Sequence, residues 1–386
     1  MINFHCRHYK GSKPCIFNKT EGMECPTCTR ADEFGCRVLI VKLDALGDVL
    51  RTGSLVPILH TLHPRPYVCW ITRPEAVEIV RMIDGVDEVV PLNVDGLARI
   101  AEGGWDHVYA LSNDHSTASL ATAARAAHPP VGYSMKDGRL HPSNRAAERW
   151  LEMAAFDRLK RANTESYQKL MLDIVGVEGP LEPPRLTVER KHLDHAAGWI
   201  AGLFAGSTRR RIAINVGSGA RWPKKMLEAD QIAAYARLAR QRLDADILLV
   251  GGPAEIEKTE TILAACGPGT PVRSALTSHS VGEFVGVLRQ VDAMMCGDTL
   301  ALHIATAIGL PTVCLVGPTS SAELADFDGL VLKSSVDTLD CLGCYGDCRK
   351  VDNCMSLFDL EGLVELTARQ LARQIDRPSP VRPRAA

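Results

Sequence analysis

The sequence predicts an α/β fold in which two doubly wound parallel sheets follow one another along the chain, each with helices on both faces. Short apolar runs alternate with helical patterns in two blocks, and a linker rich in Gly and Pro, residues 176–186, lies between the blocks. A chain of 386 residues is also too long for one ordinary hydrophobic core. We therefore expect two α/β domains.

The first block contains four strand-like runs. Apolar residues in the intervening segments recur at three- and four-residue intervals, the period of an amphipathic helix. The predicted strands are residues 38–43, 67–72, 86–92 and 105–111, and the predicted helical segments are residues 48–62, 74–83, 94–102 and 143–175.

The second block repeats this alternation. In such sheets ligands bind beyond the carboxyl ends of the strands, so a cleft between the two domains is the expected site. The predicted strands are residues 211–217, 246–252, 292–298 and 311–317, and the predicted helices are residues 229–243, 255–266, 281–290, 300–309 and 359–375.

The predicted domain plan has four parts. They are a cysteine-rich N-terminal extension (1–36), a first Rossmann-like domain (37–186), a second Rossmann-like domain (187–375) and a disordered tail (376–386).

Composition excludes several classes of protein. The net charge is −2 and aromatic residues make up 5%, which indicates no nucleic-acid partner. No apolar stretch reaches the roughly 18–20 residues of a transmembrane helix. The polar N-terminus lacks the apolar segment of a signal peptide. We expect a cytoplasmic protein.

Eight of the 13 cysteines form two clusters, each with one C-x2-C pair. Four thiolates can bind Zn²⁺ tetrahedrally, and sulfur also suits iron. Such a site would be structural, because four protein ligands leave no open position. Disulfides and free thiols are the alternatives. The clusters are Cys6, Cys15, Cys25 and Cys28, and Cys341, Cys344, Cys348 and Cys354.

Asp48 lies where the first strand-like run turns into a helical pattern, in "KLDALGDVL". A carboxylate there can take a proton from a substrate hydroxyl, or it can simply cap the helix. The single glycine of this segment does not match the G-x-G-x-x-G motif of dinucleotide-binding proteins.

Two later segments carry features of a phosphate site. In "NVGSGARWPKKM", residues 215–226, small residues follow a strand and two lysines come next. In residues 296–320, "DT" precedes a helix whose first N–H groups suit an anion. A flexible loop with solvated lysines and an ordinary helix cap are the structural alternatives.

Together these motifs resemble glycosyltransferase family 9, the heptosyltransferases that build the lipopolysaccharide inner core. The similarity rests on "VKLDALGDVL", "GSGARWPKK", "GGPAE" and "DTLALHIATAIGLPTVCLVGPT" and extends over residues 37–375. It implies the GT-B architecture, two facing Rossmann-like domains. The first would bind the acceptor and the second the sugar nucleotide.

The resemblance also implies roles for individual residues. Asp48 corresponds to the general base, and Lys225 to the lysine that stabilises the departing diphosphate. Lys224 is the alternative, because the usual K-R-W-P continuation reads "KKMLE" here, and Leu300 replaces the usual glycine after "DT". The implied donor-binding residues are Ser218, Lys224, Glu255, Asp298, Thr299, Leu300, Ala301 and His303.

The implied reaction is inverting transfer of heptose, or a related sugar, from an ADP-activated donor to a lipopolysaccharide core-type acceptor. Catalysis would need no cofactor, and any zinc or iron on the cysteines would be structural. Partners would be the ADP-sugar and a lipid-linked or protein acceptor, with peripheral contact at the inner face of the cytoplasmic membrane. The alternatives are a protein O-heptosyltransferase with cysteine-bound iron, a catalytically silent metal-binding GT-B scaffold and a sugar-nucleotide epimerase.

Overall fold

The computed structural model describes residues 1–11, 13–217, 225–267, 270–275, 279–346 and 348–373. The chain divides into two compact units, each built on one six-stranded sheet. The predicted disordered tail, residues 376–386, lies outside the described residues. Within the described part of the chain, no helix has the length and apolar character needed to cross a bilayer.

The first unit comprises Met1–Ala155 and Lys169–Pro180. Its strands are β1 (Cys36–Val41), β2 (Pro66–Thr72), β3 (Glu88–Pro91), β4 (His107–Ala110), β5 (Val131–Lys136) and β6 (Arg139–Pro142). The helices up to the end of this unit are α1 (Ile16–Glu21), α2 (Leu46–Thr52), α3 (Val56–Leu62), α4 (Val77–Arg81), α5 (Val94–Ala101), α6 (His115–Ala123), α7 (Arg145–Ala155), α8 (Asp157–Arg161) and α9 (Tyr167–Val175), of which α8 and the start of α9 belong to the second unit.

The first sheet has the strand order β3-β2-β1-β4-β5-β6 and is parallel except for the β5–β6 pair. Val38–Val41 of β1 are fully buried, as expected for a parallel strand covered on both faces. The β5–β6 hairpin was not predicted, although its turn carries a signal. Asp137 and Gly138 both have positive φ, 50° and 71°, which the Asp-Gly pair tolerates well.

The second unit comprises Phe156–Gln168 and the chain from Leu181 on. Its strands are β7 (Arg211–Asn215), β8 (Asp246–Val250), β9 (Val272–Ser274), β10 (Ala293–Gly297), β11 (Thr312–Leu315) and β12 (Val331–Ser334). Its remaining helices are α10 (Arg190–Leu203), α11 (Ala229–Leu243), α12 (Ile256–Cys266), α13 (Val281–Leu288), α14 (Leu300–Ala307) and α15 (Leu360–Ala372).

The second sheet is parallel throughout, in the order β12-β11-β10-β7-β8-β9. The four predicted strands of this block correspond to β7, β8, β10 and β11, whose residues are all buried. The short edge strands β9 and β12 were not predicted, because neither has a long apolar run.

The chain crosses between the units more often than the domain plan predicts. Residues 156–168 belong to the second unit, where three contacts anchor them. Tyr167 N–H donates to the Glu323 carbonyl at 3.1 Å, Arg161 donates to the Cys344 carbonyl at 3.4 Å, and the Lys160 ammonium lies 3.7 Å from the Tyr345 ring centroid. The helical pattern of residues 156–168 predicts helices but not these contacts with residues far away in the sequence.

Three stacked histidine rings lie at the amino end of the first sheet. The ring centroids of His63 and His107 are 4.0 Å apart, and those of His107 and His128 are 4.7 Å apart. Burial lowers the pKa of both His63 and His107, and the neighbouring imidazoles lower it further, against the opposing charge of Asp106.

We expect these rings to make the first unit less stable in mild acid. Because the pKa of each is lowered in the folded state, the unfolded chain binds protons more readily below about pH 6.5. The stability present above that pH is therefore lost as the pH falls. Amide hydrogen exchange in β1 and β4, corrected for intrinsic rates, should become faster as the pH falls from about 7.5 to 5.5. This increase in rate should be larger in the wild type than in His107→Asn. An equal change in both proteins would contradict this explanation.

Candidate functional site

In both sheets the strand order reverses next to the first strand, between β1 and β4 and between β7 and β10. A crevice opens at the carboxyl ends of the strands at such a point, and ligands of doubly wound folds bind there. In the first unit the predicted site residue Asp48 follows β1, and in the second unit the predicted site residue Thr299 follows β10. Each of these strands lies at the point where the strand order of its sheet reverses.

In the first unit, a buried lysine joins the two strands at the reversal. Lys42 is 3% exposed, and its Nζ donates to the Leu111 carbonyl at 2.7 Å and pairs with Asp44 Oδ2 at 2.7 Å. The Ser112 hydroxyl donates to the same carboxylate oxygen. This network was missed in the sequence, where Lys42 reads as the polar end of an apolar run.

Asp48 lies in the first turn of α2, next to this network. The N-cap of α2 is Ala45, whose side chain makes no cap hydrogen bond, so Asp48 does not occupy the capping position that was its alternative interpretation. Its carboxylate Oδ1 pairs with Arg51 at 2.6 Å. The side chain of Asp48 is 37% exposed and that of Arg51 is 11% exposed. The largely buried guanidinium therefore orients a carboxylate that solvent can reach.

In the second unit, a pocket of about 330 Å³ opens at the reversal between β7 and β10. Predicted donor-binding residues from two separate segments meet in it. Glu255 belongs to a 3₁₀ turn after β8, and its Oε2 accepts the Gly252 N–H at 2.8 Å. The lining residues are Asn215, Gly217, Gly251, Gly252, Pro253, Glu255, His279, Ser280, Val281, Phe284, Thr299, Leu300 and Ala301.

The start of α14 forms one wall of this pocket. Thr299 is the N-cap residue, but its side chain makes no cap hydrogen bond to the helix. Its hydroxyl instead accepts a hydrogen bond from Asn215 Nδ2 at 3.3 Å. A helix start without a side-chain cap is a favourable place for an anion, because its first N–H groups and the helix dipole act together.

A charged group lies directly before this helix. Lys225 Nζ pairs with Asp298 Oδ2 at 2.8 Å and donates to the Asp298 carbonyl at 3.2 Å. The Thr319 hydroxyl donates to the same carboxylate oxygen at 2.9 Å, and His303 Nε2 lies 3.8 Å from Oδ1. The Lys225 side chain is 11% exposed. The structure thus brings the side chains of Lys225, Asp298 and His303 together.

Two predicted residues, Ser218 and Lys224, lie outside the described residues. Of the 13 described lining residues, only Glu255, Thr299, Leu300 and Ala301 were predicted as site residues, and the others include Asn215, His279 and Phe284. Asn215 had a recognisable signal, since it ends a buried strand next to the predicted phosphate loop. His279 and Phe284 had none, because the Ser280–Glu283 capping box between them indicates a helix start but not a ligand site.

The cysteines predicted as metal ligands lie in two separate regions. Burial raises the pKa of the Cys354 thiol, and charge on Cys344, Cys348 and Cys341 acts in the same direction, so the four C-terminal cysteines are neighbours. The four N-terminal cysteines line one cavity. Among the described residues, no three Cys, His, Asp or Glu side chains already have the placement needed to hold one metal ion.

Comparison with known proteins decides the family. The sequence model of glycosyltransferase family 9 (heptosyltransferase) matches residues 98–346, more than half of the chain. The chain belongs to glycosyltransferase family 9. It is therefore a glycosyltransferase, as predicted, and the two parallel-sheet α/β units are those of the GT-B fold.

Individual proteins similar to this family 9 chain include lipopolysaccharide heptosyltransferase 2 of Escherichia coli (strain K12). The two are 22% identical, over 74% of this chain and 83% of the other. The crystal structure of a family 9 glycosyltransferase from Veillonella parvula DSM 2008 superposes with a TM-score of 0.71 at 17% identity, over 88% of this chain and 97% of that one.

A second similar structure is that of the dodecameric, iron-containing heptosyltransferase TibC from enterotoxigenic E. coli, in complex with ADP-D-β-D-heptose. Its TM-score is 0.51 at 12% identity, over 87% of this chain and 76% of that one. At such identities the two solved structures support the fold of this family 9 chain.

Proposed function

We propose that this family 9 glycosyltransferase transfers heptose, or a related sugar, from an ADP-activated donor to a lipopolysaccharide core-type acceptor, with inversion at the anomeric carbon. The observation that carries the proposal is the pocket of the second unit. Its location at a strand-order reversal, its helix start and the adjacent Lys225–Asp298 pair suit a nucleotide diphosphate. Similarity to a lipopolysaccharide heptosyltransferase supports the choice of sugar and acceptor.

Each part of the donor has a matching group in the pocket. The start of α14 and Lys225 supply N–H groups and a positive charge for the diphosphate. Glu255, held by the Gly252 N–H, offers a carboxylate that can accept hydrogen bonds from ribose hydroxyls. The apolar side chain of Phe284 lines the same pocket and suits the adenine ring.

The proposed reaction is one displacement. Asp48 removes the proton from the acceptor hydroxyl, and that oxygen bonds to the anomeric carbon while the bond from this carbon to the β-phosphate oxygen breaks. ADP leaves with the electron pair, and Lys225 and the N–H groups of α14 stabilise its new negative charge. Every step uses the chain's own residues and requires no cofactor.

The decisive experiment offers ADP-heptose to the purified protein together with candidate acceptors. We expect ADP release that depends on the acceptor, and a product heavier than the acceptor by one heptose unit. Transfer only to a protein acceptor would favour the alternative, a protein O-heptosyltransferase, for which the similarity to TibC is the motivation. Failure to bind any ADP-sugar would contradict the proposal and favour a silent scaffold.

Changing Gly217 to alanine tests the pocket itself. A Cβ on Gly217 would lie 2.4 Å from the carboxyl carbon of Glu255, so Glu255 must move and give up its bond to Gly252. We expect ADP affinity, measured by calorimetry, to fall about tenfold or more, as expected when one charge-assisted hydrogen bond is lost.

The matched control is Gly198→Ala in α10, where an added Cβ meets no atom within 4 Å. It should leave ADP affinity unchanged and raise the free energy of unfolding by about 0.5–1 kcal/mol, the usual gain from replacing a helical glycine. Equal ADP affinity in the two variants would argue against the pocket as the nucleotide site.

A further inference from the structure

The described part of the N-terminal extension, residues 1–11 and 13–35, has no hydrophobic core of its own. No described residue before Val38 is buried. Neither α1 nor the 3₁₀ turn Cys25–Thr27 contains a buried residue. Segments of this size without a core usually depend on a disulfide or a metal to hold one structure. No disulfide is present among the described cysteines.

Contacts near both ends of the extension attach it to the first sheet. Arg7 Nη1 donates to both carboxylate oxygens of Asp87, at 2.7 Å each. The Phe34 ring lies 5.2 Å from that of Tyr67, and Gly35 N–H donates to the Arg65 carbonyl at 2.8 Å. Between these ends lie α1 and the 3₁₀ turn, held by contacts among side chains that are not buried, such as the His8 and Phe17 rings at 4.8 Å and the Arg30–Glu21 pair at 3.7 Å. Such contacts give less cohesion than a buried core.

The four cysteines of the extension surround one cavity of about 400 Å³ in that centre. Each element of the extension supplies at least one. Cys6 adjoins the anchored Arg7, Cys15 precedes α1 as its N-cap residue, and Cys25 and Cys28 bracket the 3₁₀ turn. The last two have the C-x2-C spacing of zinc knuckles. Ligation by all four would therefore cross-link every element of the extension.

Most of the charged side chains around the cavity are positive. Lys10, Lys13 and Arg30 line it, whereas Glu24 is the one acid among its described lining residues. These positive side chains suit a metal site built from four negatively charged ligands. They would also offset the net charge of −2 that four thiolates and a divalent cation carry together.

We propose that Cys6, Cys15, Cys25 and Cys28 bind a thiophilic metal, zinc or iron, which holds the N-terminal extension in its folded form. Because these thiols line the cavity but do not yet converge on one point, binding draws them inward. The C-terminal cysteines are less suited to such a role, because Cys354 already packs in the hydrophobic core of the second unit. The proposal does not depend on sugar transfer.

The test measures zinc and iron by mass spectrometry in the full chain, purified without oxygen and reconstituted with Zn²⁺ or Fe²⁺. The variant Cys25→Ser/Cys28→Ser should contain about one zinc, or one iron site, fewer per chain than the wild type. Visible absorbance and acid-labile sulfide distinguish an iron–sulfur cluster from single ions. Trypsin should cut the extension at Lys10, Lys19 or Arg30 faster in this variant.

Two control variants locate the metal. Cys36→Ser changes a cysteine that does not line the cavity, and Cys341→Ser/Cys344→Ser changes the other cluster. Both should keep the metal that the Cys25/Cys28 variant loses. Equal metal content in the wild type and the Cys25/Cys28 variant, including none in either after reconstitution, would overturn the proposal. Cys25 is exposed, so Cys25→Ser alone serves if the double variant fails to fold.

Discussion

Replacing Asp48 by asparagine is expected to reduce sugar transfer by about 10²–10⁴-fold in kcat, the usual contribution of a general base. Asparagine has nearly the same shape but cannot accept the proton of the acceptor hydroxyl. The side chain is 37% exposed, so the change should leave the fold intact. Affinity for ADP should also stay unchanged, because the nucleotide pocket is built by the second unit. Single-turnover kinetics with ADP-heptose and calorimetry with ADP measure the two effects.

Asp95→Asn is the matched control for this change. Asp95 is also an acid in the first turn of a helix of the first unit, and it is exposed. It should retain wild-type transfer. If Asp48→Asn keeps kcat within a few-fold of the wild type, another group must accept the proton. If it loses ADP affinity as well, the effect is structural.

Lys225→Ala is expected to lower both transfer and affinity for ADP. The lysine supplies the positive charge beside the start of α14, and loss of one such group costs about 10²–10³-fold in kcat. The change also leaves the largely buried Asp298 carboxylate without its lysine partner, so the second unit should lose about 1–3 kcal/mol of stability. Transfer kinetics, ADP calorimetry and urea unfolding measure the three quantities.

A double variant separates these effects. Lys225→Ala/Asp298→Asn removes the unpaired charge, so stability should recover while transfer remains low. Recovery of transfer together with stability would show that Lys225 acts only through the fold. The single variant Lys224→Ala, compared with Lys225→Ala, decides which of the two neighbouring lysines stabilises the diphosphate. A larger loss of transfer in Lys224→Ala than in Lys225→Ala would assign that role to Lys224.

Much of the fold could be predicted from local patterns. Buried parallel strands such as β1 and β7 are continuous apolar runs, and α11 shows an apolar face with helical period, so the eight main strands and most helices were recognised. The Asp137–Gly138 hairpin and α10 were missed. Polar residues in β6 left no strong strand signal, whereas α10 was overlooked although its composition is no more polar than that of the recognised α11.

The candidate site was predicted less completely. Asp298 and Thr299 follow a recognisable strand end, and Lys225 follows a recognisable loop. That Lys225 pairs with Asp298, 73 residues later, could not be read from either segment. Nor could the role of Lys42, because a lysine at the end of an apolar run indicates solvent exposure until its remote partners are known.

The sequence alone determined the two α/β blocks, the family and the chemical character of the residues at the strand ends. Tertiary structure decided which strand ends are neighbours. Because the order of each sheet places β7 beside β10, Asn215 meets Thr299 across 84 residues, and the pocket forms there. It also decided that residues 156–168 pack in the second unit. Local periodicity specifies which face of an element is buried, but the partner of that face depends on packing between segments remote in the chain.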